Sequence, residues 1–175
     1  MTDQMPALVH ILNQLVRPRP GYRLVFAYDG MMAEATIREL CPDPRFVMVA
    51  RYLSKRWIIN DEGVATLVPR RGYKVWGVIW EISEVDQTGL DIFMGVPGVF
   101  DRFGSFARAP ATDELIASEY YGARNNRTFG KASIGYLAPI IDAARHWQFP
   151  ESYLDEVAAW SEPERRGATS RRGAR

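Results

Sequence analysis

From Tyr22 to Tyr121 the chain is mostly a succession of β-branched and aromatic segments broken by glycine, proline and Asp/Asn turns, and beyond Ser133 it turns helical. Strands first and helices last predict an α+β domain with a largely antiparallel, possibly closed, sheet. The spacing predicts strands over Tyr22–Tyr28, Phe46–Ile59, Val64–Val68, Tyr73–Ile82, Val99–Ala107 and Glu114–Tyr121. Asn60-Asp-Glu-Gly63 and Pro69-Arg-Arg-Gly72 read as the turns between three of them. Helices are predicted over Ala33–Leu40, over Glu84–Phe93 behind a Ser83 cap, from Ser133 to about Trp147, and from Pro150 to about Trp160. Gly122–Lys131 reads as an exposed polar loop.

At 175 residues the chain suits one domain with a real core, and 47% hydrophobic with 25% charged residues is an ordinary globular balance. Residues 1–21 are an N-terminal helix and linker: Met5, Leu8, Val9, Leu12, Leu15 and Val16 form an amphipathic stripe that Arg17-Pro-Arg-Pro-Gly21 stops. Packing on its own domain, a free arm and a homodimer contact all suit such a helix. Residues 22–161 are the domain proper. Residues 162–175 are an arginine-rich tail with no apolar side chain larger than alanine, which predicts disorder.

The net charge is +1, with all of the positive excess in the tail, so no whole-chain field draws in nucleic acid or an anionic membrane. The tail arginines have no aromatic interleaving, so specific nucleic-acid binding is not expected. No apolar run approaches the roughly 20 residues of a membrane span. One cysteine, Cys41, and a first segment without a basic region lead to the expectation of a cytoplasmic protein.

His10 and His146 are the only histidines and neither has a second ligand at metal spacing, so no metal is expected. Phosphate loop, dinucleotide fingerprint and Gly-x-Ser-x-Gly elbow are absent, and no cofactor is expected. Cys41, beside Pro42, reads as a helix-end residue. Trp76 and Trp80 share a strand face and read as core, Glu81 reads as a surface residue, and Asp91 reads as structural.

Four segments in order carry more: Val25-Phe-Ala-Tyr28 entering a turn, Gly63-Val-Ala-Thr-Leu-Val-Pro69, Lys74-Val-Trp-Gly-Val-Ile-Trp80, and Leu90-Asp-x-x-x-Gly-Val96. Together they resemble the γ-glutamylcyclotransferase family, AIG2-like members included, from about Tyr22 to Trp160. The resemblance implies a small mixed β-barrel flanked by helices, with one small-molecule pocket where the first turn meets the helix before Gly95. It implies a reaction without a cofactor: the α-amine of a γ-glutamyl group attacks its own γ-carbonyl, the ring N–C bond of 5-oxoproline forms, and the amide bond to the leaving amine breaks. In the family a glutamate takes the proton from the attacking amine, and backbone N–H groups of a Tyr-Gly-Ser-Asn turn hold the substrate.

This sequence departs from that pattern at both places. Tyr28-Asp29-Gly30-Met31 stands where the family has Tyr-Gly-Ser-Asn, and Met94 stands where it has the glutamate. A thioether accepts no proton at neutral pH, so ordinary cyclotransferase activity is expected to be absent or weak. The candidate ligand-binding residues are Tyr28, Asp29, Gly30, Met31 and Tyr120; the candidate catalytic positions are Asp29, as a displaced base, and Met94. Asp29 has a second reading as a turn former. Three functions remain open: a ligand-binding or modified acyl-transfer protein, an amide-cleaving or cyclising enzyme with a displaced acid, and a non-catalytic interaction module.

Overall fold

The computed structural model describes residues 16–162. The strands are β1 (Tyr22–Ala27), β2 (Arg45–Ile59), β3 (Ala65–Ser83), β4 (Phe100–Arg108) and β5 (Leu115–Ala123), and they close into a barrel in the order β1-β3-β2-β4-β5. Every pairing is antiparallel except the closing seam, where β1 meets β5 in parallel with Val25 opposite Glu119. The sheet is therefore mixed and closed. The helices are α1 (Glu34–Leu40), α2 (Glu84–Phe93), α3 (Ile134–His146) and α4 (Glu151–Ala158), preceded by a 3₁₀ turn at Gly30–Met32. Among the described residues no helix is long and apolar enough to cross a membrane. The predicted N-terminal helix, except Val16, and the tail from Pro163 onward lie outside the described residues.

Inside the barrel Phe26 of β1 stacks on Tyr52 of β2 at 4.0 Å between ring centroids. Gly77 makes room for that ring: a Cβ there would collide with the Phe26 ring and the Ala27 carbonyl. The glycine of the Val-Trp-Gly-Val segment thus serves close packing between β1 and β3.

Serine caps start two helices as expected: Ser83 accepts from the Asp86 amide at 3.0 Å and Ser133 from the Tyr136 amide at 3.2 Å. The Leu90-Asp-x-x-x-Gly-Val segment turns out to be the stop signal of α2. Gly95 has φ 66°, its amide donates to Ile92 at 3.1 Å, and the Val96 amide reaches back to Asp91 at 2.9 Å. This paired closure by a left-handed glycine satisfies the last carbonyls of the helix. Cys41 caps α1, its amide donating to Ile37, and burial pushes its thiol up to about 11.

Three expectations need correction. Pro69–Gly72 does not separate two strands: β3 runs through it, and β2 spends one residue, Ser54, where β3 spends Arg70–Tyr73. The result is a bulge of four residues against one, with positive φ at both Gly72 and Ser54. Gly122 and Ala123 do not belong to the exposed loop but are buried at the end of β5. Glu81 is no surface residue. It has no exposed area, and its carboxylate accepts from the Arg19 amide at 2.9 Å, Arg19 Nε at 2.7 Å and Arg45 Nε at 2.9 Å. Arg45 and then Arg19 hold its carboxyl down at about 2.

Candidate functional site

The end of β1 delivers Tyr28 into a tight turn. Asp29 caps it: the carboxylate accepts from the Met31 amide at 2.9 Å, and the Asp29 carbonyl accepts from Met32 at 3.0 Å. This is the local hydrogen bond that makes Asp a turn former. Burial pushes the Asp29 carboxyl above its ordinary range, opposed by the Met31 N–H. Tyr28 is buried, its hydroxyl donates to the Tyr121 carbonyl, and burial raises its phenol well above 10, helped by the Asp29 charge.

Three indoles from three elements hold the turn from behind. Trp57 of β2 donates to the Tyr28 carbonyl at 3.0 Å, Trp80 of β3 to the Met31 carbonyl at 3.0 Å, and Trp147 after α3 to the Met32 carbonyl at 2.8 Å. The acceptors of the turn are thereby used up, while the Gly30 amide meets no acceptor among the described residues. A turn so fixed keeps its remaining donors in place without reorganisation. The Met31 side chain itself is buried in the core.

Tyr120 of β5 lies beside the turn, its ring edge-on to Tyr28 at 6.3 Å and to Tyr52 at 5.4 Å, and stacked with Phe103 of β4 at 5.5 Å. Its hydroxyl receives a hydrogen bond from Lys55 Nζ at 3.1 Å. The next residue, Tyr121, joins the turn to α2: its carbonyl accepts from Tyr28, and its hydroxyl donates to the Asp91 carboxylate at 2.7 Å. Arg102 of β4 pairs with Asp91 at 3.1 Å and with Glu119 at 3.4 Å, and Gln87 donates to Glu119 at 2.6 Å. Asp91 is thus an organising residue of a β4–β5–α2 network. Three positions later Met94 ends α2, half-buried against the core.

The structure brings Tyr28, Asp29, Gly30, Met31 and Tyr120 to one end of the barrel, and Met94 ends the helix that Tyr121 reaches through Asp91. Four surface clefts, of about 290 to 580 Å³, lie elsewhere: between α3 and α4, over the β1–β5 seam, beside the bulge, and between α1 and Arg45. Among the described residues no group of three or more His, Cys, Asp or Glu could hold a metal ion. Sequence reasoning missed Trp57, Tyr121 and Trp147 as neighbours of the turn and Lys55 as a neighbour of Tyr120. Only Tyr121 had a signal, its place in the Glu-Tyr-Tyr run of β5.

The AIG2-like family model matches residues 74–157, from the start of the Val-Trp-Gly-Val segment through α4. A γ-glutamylcyclotransferase of Mus musculus is 26% identical over 161 residues, covering 84% of this chain and 83% of the mouse protein. The chain is similar to the AIG2-like, γ-glutamylcyclotransferase family. Solved structures share the fold: a γ-glutamyl cyclotransferase superposes with a TM-score of 0.74 at 23% identity, covering 86% of this chain and 94% of that one. An uncharacterized protein from Homo sapiens does so with the same TM-score at 22% identity, over 86% and 95%. In this chain the Schellman-type stop of α2 accounts for the glycine and valine of the Leu-Asp-x-x-x-Gly-Val segment, and the position just before that glycine is the helix C-cap, occupied by Met94.

Proposed function

We propose that this protein holds a ligand at the altered turn Tyr28–Met31 and lacks the family's standard base. It binds a small γ-glutamyl, amide or less polar ligand at the Tyr28–Met31 turn beside Tyr120, with little or no ordinary 5-oxoproline formation. The observation that carries the reading is Met94 at the C-cap of α2, where the sequence resemblance puts the family's glutamate. A thioether there offers dispersion contacts and a flexible shape but no proton acceptor. The indole clamp supports the binding half of the reading, because it ties the turn's carbonyls to the core and leaves donors to a ligand.

The test is turnover of a panel of γ-glutamyl amines and dipeptides by the wild-type chain, Met94→Glu and Asp29→Ala. The expected result is a nearly silent wild type and a gain of about 10²-fold or more in Met94→Glu, the range a general base contributes. A second reading takes Asp29, which stands on the turn with its carboxyl raised by burial, as a displaced base. That reading requires an active wild type that Asp29→Ala silences, and this outcome would replace the first.

A further inference from the structure

The bulge between β2 and β3 does something that pairing alone does not require. Ser54 holds φ 57°, a left-handed conformation costly for a residue with a Cβ, and the register between the strands shifts across it. In an unbroken strand Lys55 would point away from Tyr52, since alternate residues face opposite sides. Across the bulge it comes round to the same side: Lys55 Nζ lies 5.8 Å from the Tyr52 ring centroid, 4.8 Å from that of Tyr120, and 3.1 Å from the Tyr120 hydroxyl. Arg56 takes the opposite side, over Tyr73 and Trp160.

Lys55 is half-buried, and no carboxylate among the described residues stands within ion-pair distance of it, whereas Glu81, Asp91 and Glu119 all have their own arginines. A partly desolvated ammonium whose nearest companions are two phenol rings and a hydroxyl is missing its counter-charge. Two residues further along β2, Trp57 grips the Tyr28 carbonyl, so this cation sits on the strand that also braces the ligand turn.

From this arrangement we infer that Lys55 is a carboxylate-receiving subsite. It confers on the site a preference for small ligands that bear a carboxylate, with Tyr120 and Tyr52 walling the ammonium. The inference rests on the reading of the Tyr28 turn and Tyr120 as the ligand site, and it adds the charge class of the ligand to that reading.

The chain has only three lysines, Lys55, Lys74 and Lys131, so protein carrying lysine labelled with ¹³C at Cε gives three side-chain signals, and Lys55→Arg identifies the one sought. The probes are 5-oxoproline, its carboxylate-free counterpart 2-pyrrolidinone, and glutarate. The expected result is a saturable shift of the Lys55 signal with 5-oxoproline and glutarate and none with 2-pyrrolidinone. Calorimetry should find 5-oxoproline or glutarate bound about tenfold or more weakly by Lys55→Gln, as loss of a charge-assisted hydrogen bond requires, and near wild-type strength in Lys55→Arg. A Lys55 signal that neither carboxylate moves, or equal binding by Lys55→Gln, overturns the inference whatever the turnover panel shows. A saturable Lys55 response that leaves the Asp29–Met31 amide signals unmoved keeps the subsite and overturns its membership of the turn site.

Discussion

Glu81 makes this fold acid-sensitive at a single side chain. Its carboxylate is sealed from water and receives donors from Arg19 and Arg45, which hold its carboxyl at about 2 in the folded chain. In the unfolded chain a glutamate titrates at about 4.3. Since the folded value is the lower, the charge stabilises the fold above about pH 4.3, and that contribution is lost as pH falls toward 2. The shift sets an upper bound of about 3 kcal/mol, reduced because both arginines are half exposed and screened by water. Urea unfolding of wild type between pH 7 and pH 3 should show a falling midpoint. Glu81→Gln should start lower at pH 7 and show a much flatter fall; equal slopes for the two proteins would remove Glu81 as the cause.

At the scale of elements, α2 is the part whose end matters for the site. Its stop depends on Gly95 at φ 66°, and an added Cβ would also press Val99 Cγ2 at 3.1 Å. Gly95→Ala is expected to lower stability by about 1–2 kcal/mol, and to do so with Ser83→Ala adding independently by about 1 kcal/mol, because the two caps lie at opposite ends of the helix. Thermal unfolding of the two single variants and the double variant checks both magnitudes and additivity. Caps of this kind are legible in sequence because every partner lies within a few residues: Ser83 with Asp86, Gly95 with Ile92, Val96 with Asp91. The bulge was not legible. Pro69-Arg-Arg-Gly72 has the composition of a turn, and only the pairing of Leu53 with Lys74 and of Lys55 with Pro69 reveals that the strand continues through it.

At the scale of the whole molecule, the barrel is unevenly sewn. β2 and β3 pair along most of their lengths, whereas β1 and β5 close the barrel through one parallel pair, Val25 with Glu119. Few backbone bonds across a seam favour local opening. Native-state hydrogen exchange should therefore find amides at the β1–β5 seam exchanging faster than those in the centre of the β2–β3 ladder; uniform protection around the barrel would contradict this.

The same division separates what the chain order determines from what folding decides. The sequence by itself determined the succession of strands and helices, the caps, and the turn at Asp29-Gly30, because each is a signal carried by adjacent residues. Tertiary structure alone decided that Glu81 is buried, that Lys55 faces Tyr120, and that Trp147 grips the Met32 carbonyl. Those partners lie 62, 65 and 115 positions apart along the chain. Hydrogen bonds and charge pairs over such separations exist only once the barrel has closed, and no local periodicity encodes them.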